Sequence, residues 1–177
     1  HVYPPPTAFD GVMAHPQDPA QTAETLHLGR QLLYGGLNLY DTAQLSSMGM
    51  AGFFHPNIKW YGPGGIGACF SLAEFETLHQ RPWLAAFPDR KVQDLDALIA
   101  EGALLGAAGV AGVRATQSGA YLTAPASGKQ LQISGLDFWL RQGDKFTENW
   151  VFVDMIDLFA QMGQDLFAQL HRRAQPD

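Results

Sequence analysis

One cysteine, Cys69, occurs in 177 residues. No disulfide framework or thiolate metal cage can be built from it, and a reducing, cytoplasmic compartment is the expected setting. Histidine occurs six times (His1, His15, His27, His55, His79, His171), never at the short spacing that lets two rings share a metal. No metal site is expected. The serine hydrolase elbow G-x-S-x-G is absent. Positive charge is scarce: 11 Lys+Arg stand against 17 Asp+Glu, the net charge is -6, and no basic cluster forms. Nucleic acid is therefore not an expected partner. No apolar run reaches about 18 residues, so no membrane-spanning helix is expected. The chain opens on His1 and not on Met, which leaves room for a preceding segment.

What the chain does contain is apolar and aromatic material: 46% of residues are hydrophobic and 11% aromatic, with 16% charged. So low a charged fraction predicts much buried or ligand-facing surface. The length suits one domain with a real core. Residues 1–17, with Pro4-Pro5-Pro6 and Pro16, read as a proline-rich extended arm, and 18–177 as the domain.

The richest stretch is 135–154. Leu136 to Leu140 and Lys145 to Val153 are dense in aromatic and β-branched residues, and Gly143-Asp144 between them supplies turn chemistry. The stretch reads as a hairpin with Asp137 inside its first strand. Glu148, Trp150, Phe152 and Asp154 alternate along the second, so they share a face. A carboxylate in such a strand is either hydrogen-bonded or poised for chemistry.

Around the hairpin, Asp18-Pro19 starts a helix that Gly35-Gly36 weakens late. A short helix is predicted over 42–52, a break at His55-Pro56, and a strand over 57–61. Ser71-Leu-Ala-Glu74 is a capping box opening a helix to about Ala86. Strands follow from Arg90, with glycines at 102, 106, 109 and 112 that predict bulges or strong curvature. Asp154 caps a last helix carrying Leu158, Met162, Leu166 and Leu170 on one stripe. Helices first and antiparallel strands later give an α+β class.

Gly62-Pro-Gly-Gly-Ile-Gly67 matches G-x-G-x-x-G letter for letter. The dinucleotide reading also needs a βαβ unit and an acidic residue about 20 positions on, and that context is missing. A loop turning sharply or approaching a ligand is the plainer reading. What remains is acid–base chemistry. Asp137 is the first candidate, its alternative being a structural aspartate paired with Arg114 or Arg141. His79 is either a second catalytic group or a satisfied core histidine. Trp60, Tyr61, Trp139 and Trp150 either wall a pocket or fill the core.

The segments Trp60–Gly67, His79–Arg90, Asp137-Phe-Trp139, Glu148–Asp154 and Gln161-Met-Gly163 together resemble the SnoaL-like polyketide cyclases of the nuclear-transport-factor-2-like (NTF2-like) superfamily. The resemblance runs from about Leu26 to Leu170. It implies a cone-shaped, curved antiparallel sheet with helices closing an internal apolar pocket, often paired about a two-fold axis into a homodimer. It also implies aldol-type ring closure without metal or cofactor, with a strand aspartate, here Asp137, as acid–base. Other superfamily members isomerise, dehydrate or hydrolyse small molecules. Asn57 departs from the aspartate common after His-Pro in the family, and the glycine loop and arm are additions. Taken with the reading of the chain itself, the expected site is Asp137 and His79 for catalysis. Trp60, Tyr61, Trp83, Arg114, Trp139, Trp150 and Phe152 would surround a small apolar carbonyl compound. The alternative is a non-catalytic module that binds a small ligand or assembles dimers.

Overall fold

The computed structural model describes residues 16–39 and 49–174. Residues 1–15 of the proline-rich arm and the first part of the 42–52 helix lie outside the described residues. Helix α1 (Pro19–Arg30) begins where Asp18 Oδ1 accepts from Ala20 N at 2.9 Å, with Pro19 needing no donor in the first turn. It then loosens into a π turn (Gln31–Gly35) and a 3-10 turn (Gly36–Asn38). Thr25 Oγ1 donates to Gly102 O at 2.7 Å, and Gly102 N donates to Thr22 Oγ1 at 2.8 Å, which fixes α1 to the sheet.

After the short α2 (Met50–Phe53), strand β1 (Phe54–Tyr61) starts three residues earlier than predicted and runs through His55-Pro56. Proline is tolerated there because early residues of a strand can forgo a ladder donor. A two-residue β2 (Ala68–Cys69), absent from the sequence reading, folds back on it. The capping box is present in the fold: Glu74 N donates to Ser71 Oγ at 3.1 Å, and Glu74 Oε2 reaches back to accept from Phe70 N at 2.7 Å. The helix it opens is α3 (Leu72–Glu74), a π turn (Phe75–Gln80) and α4 (Arg81–Ala86).

Strands β3 (Lys91–Asp94), β4 (Ala97–Glu101), β5 (Leu104–Thr116), β6 (Gln130–Gln142) and β7 (Lys145–Val153) complete one sheet in the order β2-β1-β7-β6-β5-β3, with β4 also paired to β5. The ladders are antiparallel except β1–β7, which is parallel and departs from the all-antiparallel expectation. The glycine-rich stretch behaves as predicted. The β5–β6 register shifts between Gly109 and Val113, and a Cβ on Gly109 would lie 2.7 Å from Gly112 Cα. The backbone folds on itself so tightly there that no larger residue fits, and the sheet bends round the space beneath it.

Asp154 caps the last helical segment, accepting from Asp157 N at 2.9 Å. The predicted single helix is two, α5 (Met155–Gln161) and α6 (Leu166–Ala174), because Gly163 takes a φ of 86° and ends the first. No described helix is long and apolar enough to cross a membrane.

Candidate active site

The glycine loop shapes one wall of the site. Gly65 and Gly67 sit at φ 91° and 101°, and a Cβ on Gly62 would meet the Trp60 ring at 2.3 Å. The loop therefore closes over the indole of Trp60, itself 2% exposed. Gly62→Ala is expected to displace that ring and cost about 1–3 kcal/mol. Thermal unfolding would check this, and an unchanged melting temperature would show that the wall has slack.

Between the helices and the inner face of the sheet lies a cavity of about 140 Å³. Helical residues such as Leu33, Phe75 and Trp83 cover it; Trp60, Trp139 and Val151 are among those that floor it from the strands. Gly109, Gly112 and Gly135 line it at the bend, so the same glycines that curve the sheet make the room. The wall is largely apolar, and its ionisable groups among the described residues are His79, Arg90 and Asp137.

Asp137 is on the inner face of β6, flanked across the ladders by Ala107 and Val151. Its residue surface is partly accessible because the cavity touches it. Surrounded by apolar side chains, the carboxyl is pushed up from 3.8 to about 7 by burial, opposed by a bond from Asn149. That bond runs from Asn149 Nδ2 to Asp137 Oδ1 at 3.5 Å, and the same nitrogen donates to Phe138 O at 3.0 Å. Neither arginine considered as a partner reaches Asp137. Arg114, on β5 between β3 and β6, pairs with Asp94 at 3.1 Å in a solvent-exposed ion pair. Arg141 is held by Glu24 at 3.1 Å, Thr25 Oγ1 at 2.8 Å and the Gly143 carbonyl.

His79 stands in the π turn and stacks on Trp60, ring centroids 4.1 Å apart, with Trp83 and Phe75 at 6.0 and 5.3 Å. Burial, helped by the charge of Arg90, lowers its pKa from 6.5 to about 3, so the ring is neutral at physiological pH. Its Nδ1 is sealed off without a hydrogen-bond partner among the described residues. An unpaired lone pair costs less there than an unpaired N–H, which places the proton on Nε2.

Of the residues expected to surround a substrate, Trp60, Trp83 and Trp139 line the cavity with Asp137 and His79. Tyr61, Trp150 and Phe152 do not join them: Tyr61 and Trp150 stack on each other, ring centroids 6.1 Å apart, and do not line the cavity, and Phe152 is 55% exposed. Arg114 is also elsewhere, in its exposed pair with Asp94. The sequence reading missed Gln80, Arg90 and Asn149, all buried and all on the wall. Asn149 was findable, since it occupies the face opposite Glu148 and Trp150. Arg90 closes the Phe-Pro-Asp-Arg turn, and nothing local marks it as inward.

A SnoaL-like polyketide cyclase family model matches residues 38–162. The chain belongs to the SnoaL-like polyketide cyclase family. No curated protein matches it. Among solved structures, a candidate SnoaL-like polyketide cyclase from Jannaschia sp. CCS1 has a TM-score of 0.66 at 14% identity, covering 84% of this chain and 97% of that one. AclR, a candidate hydroxylase from Streptomyces galilaeus, gives 0.63 at 21%, covering 86% and 91%. IdmH, a candidate polyketide cyclase from Streptomyces antibioticus, gives 0.61 at 19%, covering 80% and 98%. At these identities the structures share the fold, and the different reactions attached to their names show that this fold alone does not choose one.

Proposed function

We propose that this member of the family is a cofactor-independent acid–base enzyme acting on a small, largely apolar carbonyl compound. Asp137 takes a proton from the carbon beside the carbonyl, the C–H electron pair becomes the new C=C bond, the carbonyl π pair moves onto oxygen, and an enolate forms. The Nε2–H of His79 stabilises the developing oxygen charge. The enolate is then reprotonated, which isomerises the compound, or attacks a second carbonyl in an aldol closure. The observation that carries this reading is the Asp137 carboxyl itself, facing an apolar cavity, held near neutrality and paired with neither Arg114 nor Arg141. A base whose pKa sits near the working pH is the most effective one. Exchange of the α-hydrogens of cyclohexanone or acetophenone for deuterium tests it. Wild type should accelerate exchange and Asp137→Asn should not; equal rates with both would remove Asp137 from the chemistry.

The outer face of the sheet supports a second role, dimer assembly. Leu136, Phe138 and Phe152 are 37%, 37% and 55% exposed on one face of β6 and β7. An apolar patch of that kind on a sheet is usually covered. The expected result is a homodimer at micromolar concentration that Phe152→Asp converts to monomer while the cavity is left intact. Sedimentation of wild type as a monomer would count against it.

A further inference from the structure

The cavity wall carries two polar groups of different character, and the volume limits what can bridge them. An apolar cavity of about 150 Å³ accommodates one benzene molecule. The space here, about 140 Å³, therefore suits one ring or an open chain of similar bulk, with room at the mouth for a substituent. Fused systems of three or four rings do not fit unless the covering helices part.

One is Asp137 with Asn149. The other is Arg90, from the turn between α4 and β3; it is 4% exposed and lines the cavity, as does Gln80, which is 1% exposed. Arg90 follows the helical cover in the chain, whereas Asp137 belongs to the sheet, and both stand on the cavity wall. A guanidinium carries five N–H donors in a rigid fork, enough to hold a ligand oxyanion beside any protein acceptor. In a wall this apolar, an anion placed against it gains more than it would in water.

We infer that the cavity takes a single-ring or equally small carbonyl compound bearing an acidic group, a carboxylate or ionised enol, whose anion rests at Arg90 while its enolisable carbon faces Asp137. This deepens the acid–base reading and rests on it for Asp137 alone. Arg90 selects charge, and the volume selects size.

Calorimetric titration with benzoate and with its neutral near-isostere benzamide tests the inference. Wild type should bind benzoate at least tenfold more tightly than benzamide. Arg90→Gln should erase that preference, and Arg90→Lys should retain part of it. Equal affinities in wild type, a result that needs no variant to fold, would overturn the inference. So would a preference that survives Arg90→Gln. Naphthalene-2-carboxylate and anthracene-2-carboxylate should bind progressively more weakly than benzoate; equal affinity for all three would overturn the size limit. Asp137 is read separately. At pH 8 an ionised Asp137 repels benzoate, so Asp137→Asn should strengthen binding there and have little effect at pH 5. If that contrast is absent while the Arg90 preference stands, the anion site survives and the acid–base reading loses its base.

Discussion

Asp137→Asn is expected to lower turnover by about two to four orders of magnitude, the range that a positioned acid–base group supplies. The amide keeps the shape of the carboxyl and its place beside Asn149 but takes no proton at neutral pH. Folding should respond in the opposite sense. A carboxyl raised from 3.8 to about 7 by burial destabilises the fold once ionised, by up to roughly 4 kcal/mol. Asp137→Asn should therefore melt at a higher temperature than wild type at pH 8. Had Asp137 been an arginine's partner, the same change would have left a buried cation uncompensated and lowered stability by a few kcal/mol.

The pH profile of stability separates the two cavity groups. Between about pH 4 and 7 the native state holds a proton on Asp137 that the unfolded chain has released, so this group contributes stability that is lost as pH rises to 7. His79 acts in reverse. Its pKa falls from 6.5 to about 3 on folding, so its contribution is present above 6.5 and lost as pH drops toward 3. From about pH 4 to 6.5 the two slopes oppose each other and largely cancel. Wild type should be nearly flat there, whereas Asp137→Asn should lose stability steadily on acidification below pH 6.5. Equal profiles for the two proteins, by denaturant titration at several pH values, would show that Asp137 has an ordinary pKa.

Trp60→Ala should be the most damaging single truncation at the site. The indole is 2% exposed, stacks on His79 at 4.1 Å, meets Phe75 edge-on at 5.8 Å and underlies the Gly62 turn. Removing so large a buried side chain costs about 3–5 kcal/mol, or roughly 6–20 °C in melting temperature for a domain of this size. Part of the cost is local: His79 loses its main packing partner and water enters the cavity. Trp60→Phe should restore most of the stability. A loss below about 1 kcal/mol for the alanine variant would mean that the glycine loop collapses into the gap and that the wall is not rigid.

The hairpin shows how far the sequence could be read and where it stopped. Its strands and its Gly143-Asp144 turn follow from composition and turn chemistry, and Gly143 indeed has a φ of 63°; the inward place of Asp137 was implied only by the family resemblance. The face of the second strand did not follow. A regular two-residue turn pairs Gln142 with Lys145 and Arg141 with Phe146, and continuing that register sets Trp150 opposite Asp137. The ladder instead slips by one between Leu140 and Arg141, leaving Thr147 extra, so that Leu140 meets Glu148 and Asp137 meets Val151. One bulge therefore moved Glu148, Trp150 and Phe152 to the outer face and brought Asn149 into the cavity. No residue pattern announces a bulge at that point.

The curvature was legible, because crowded glycines in a strand have few other uses, and Gly109 and Gly112 bend β5 as expected. The parallel β1–β7 pair and the inward Arg90 were not. Both depend on contacts between segments far apart in sequence, on which local periodicity is silent. The glycine loop was legible as a turn, though its reason, the Trp60 ring beneath Gly62, belongs to packing.

The central claim is that Asp137 is the cavity's acid–base group, and its own titration tests this most directly. With the aspartates labelled at the carboxyl carbon, the Asp137 signal is assigned by its disappearance in Asp137→Asn and followed by NMR from pH 3 to 9. The expected midpoint is about 7, moving higher in Asn149→Leu, where the bond that favours the ionised form is gone. A midpoint at or below the ordinary 3.8 would contradict the account, because a carboxylate ionised that readily is a paired, structural one.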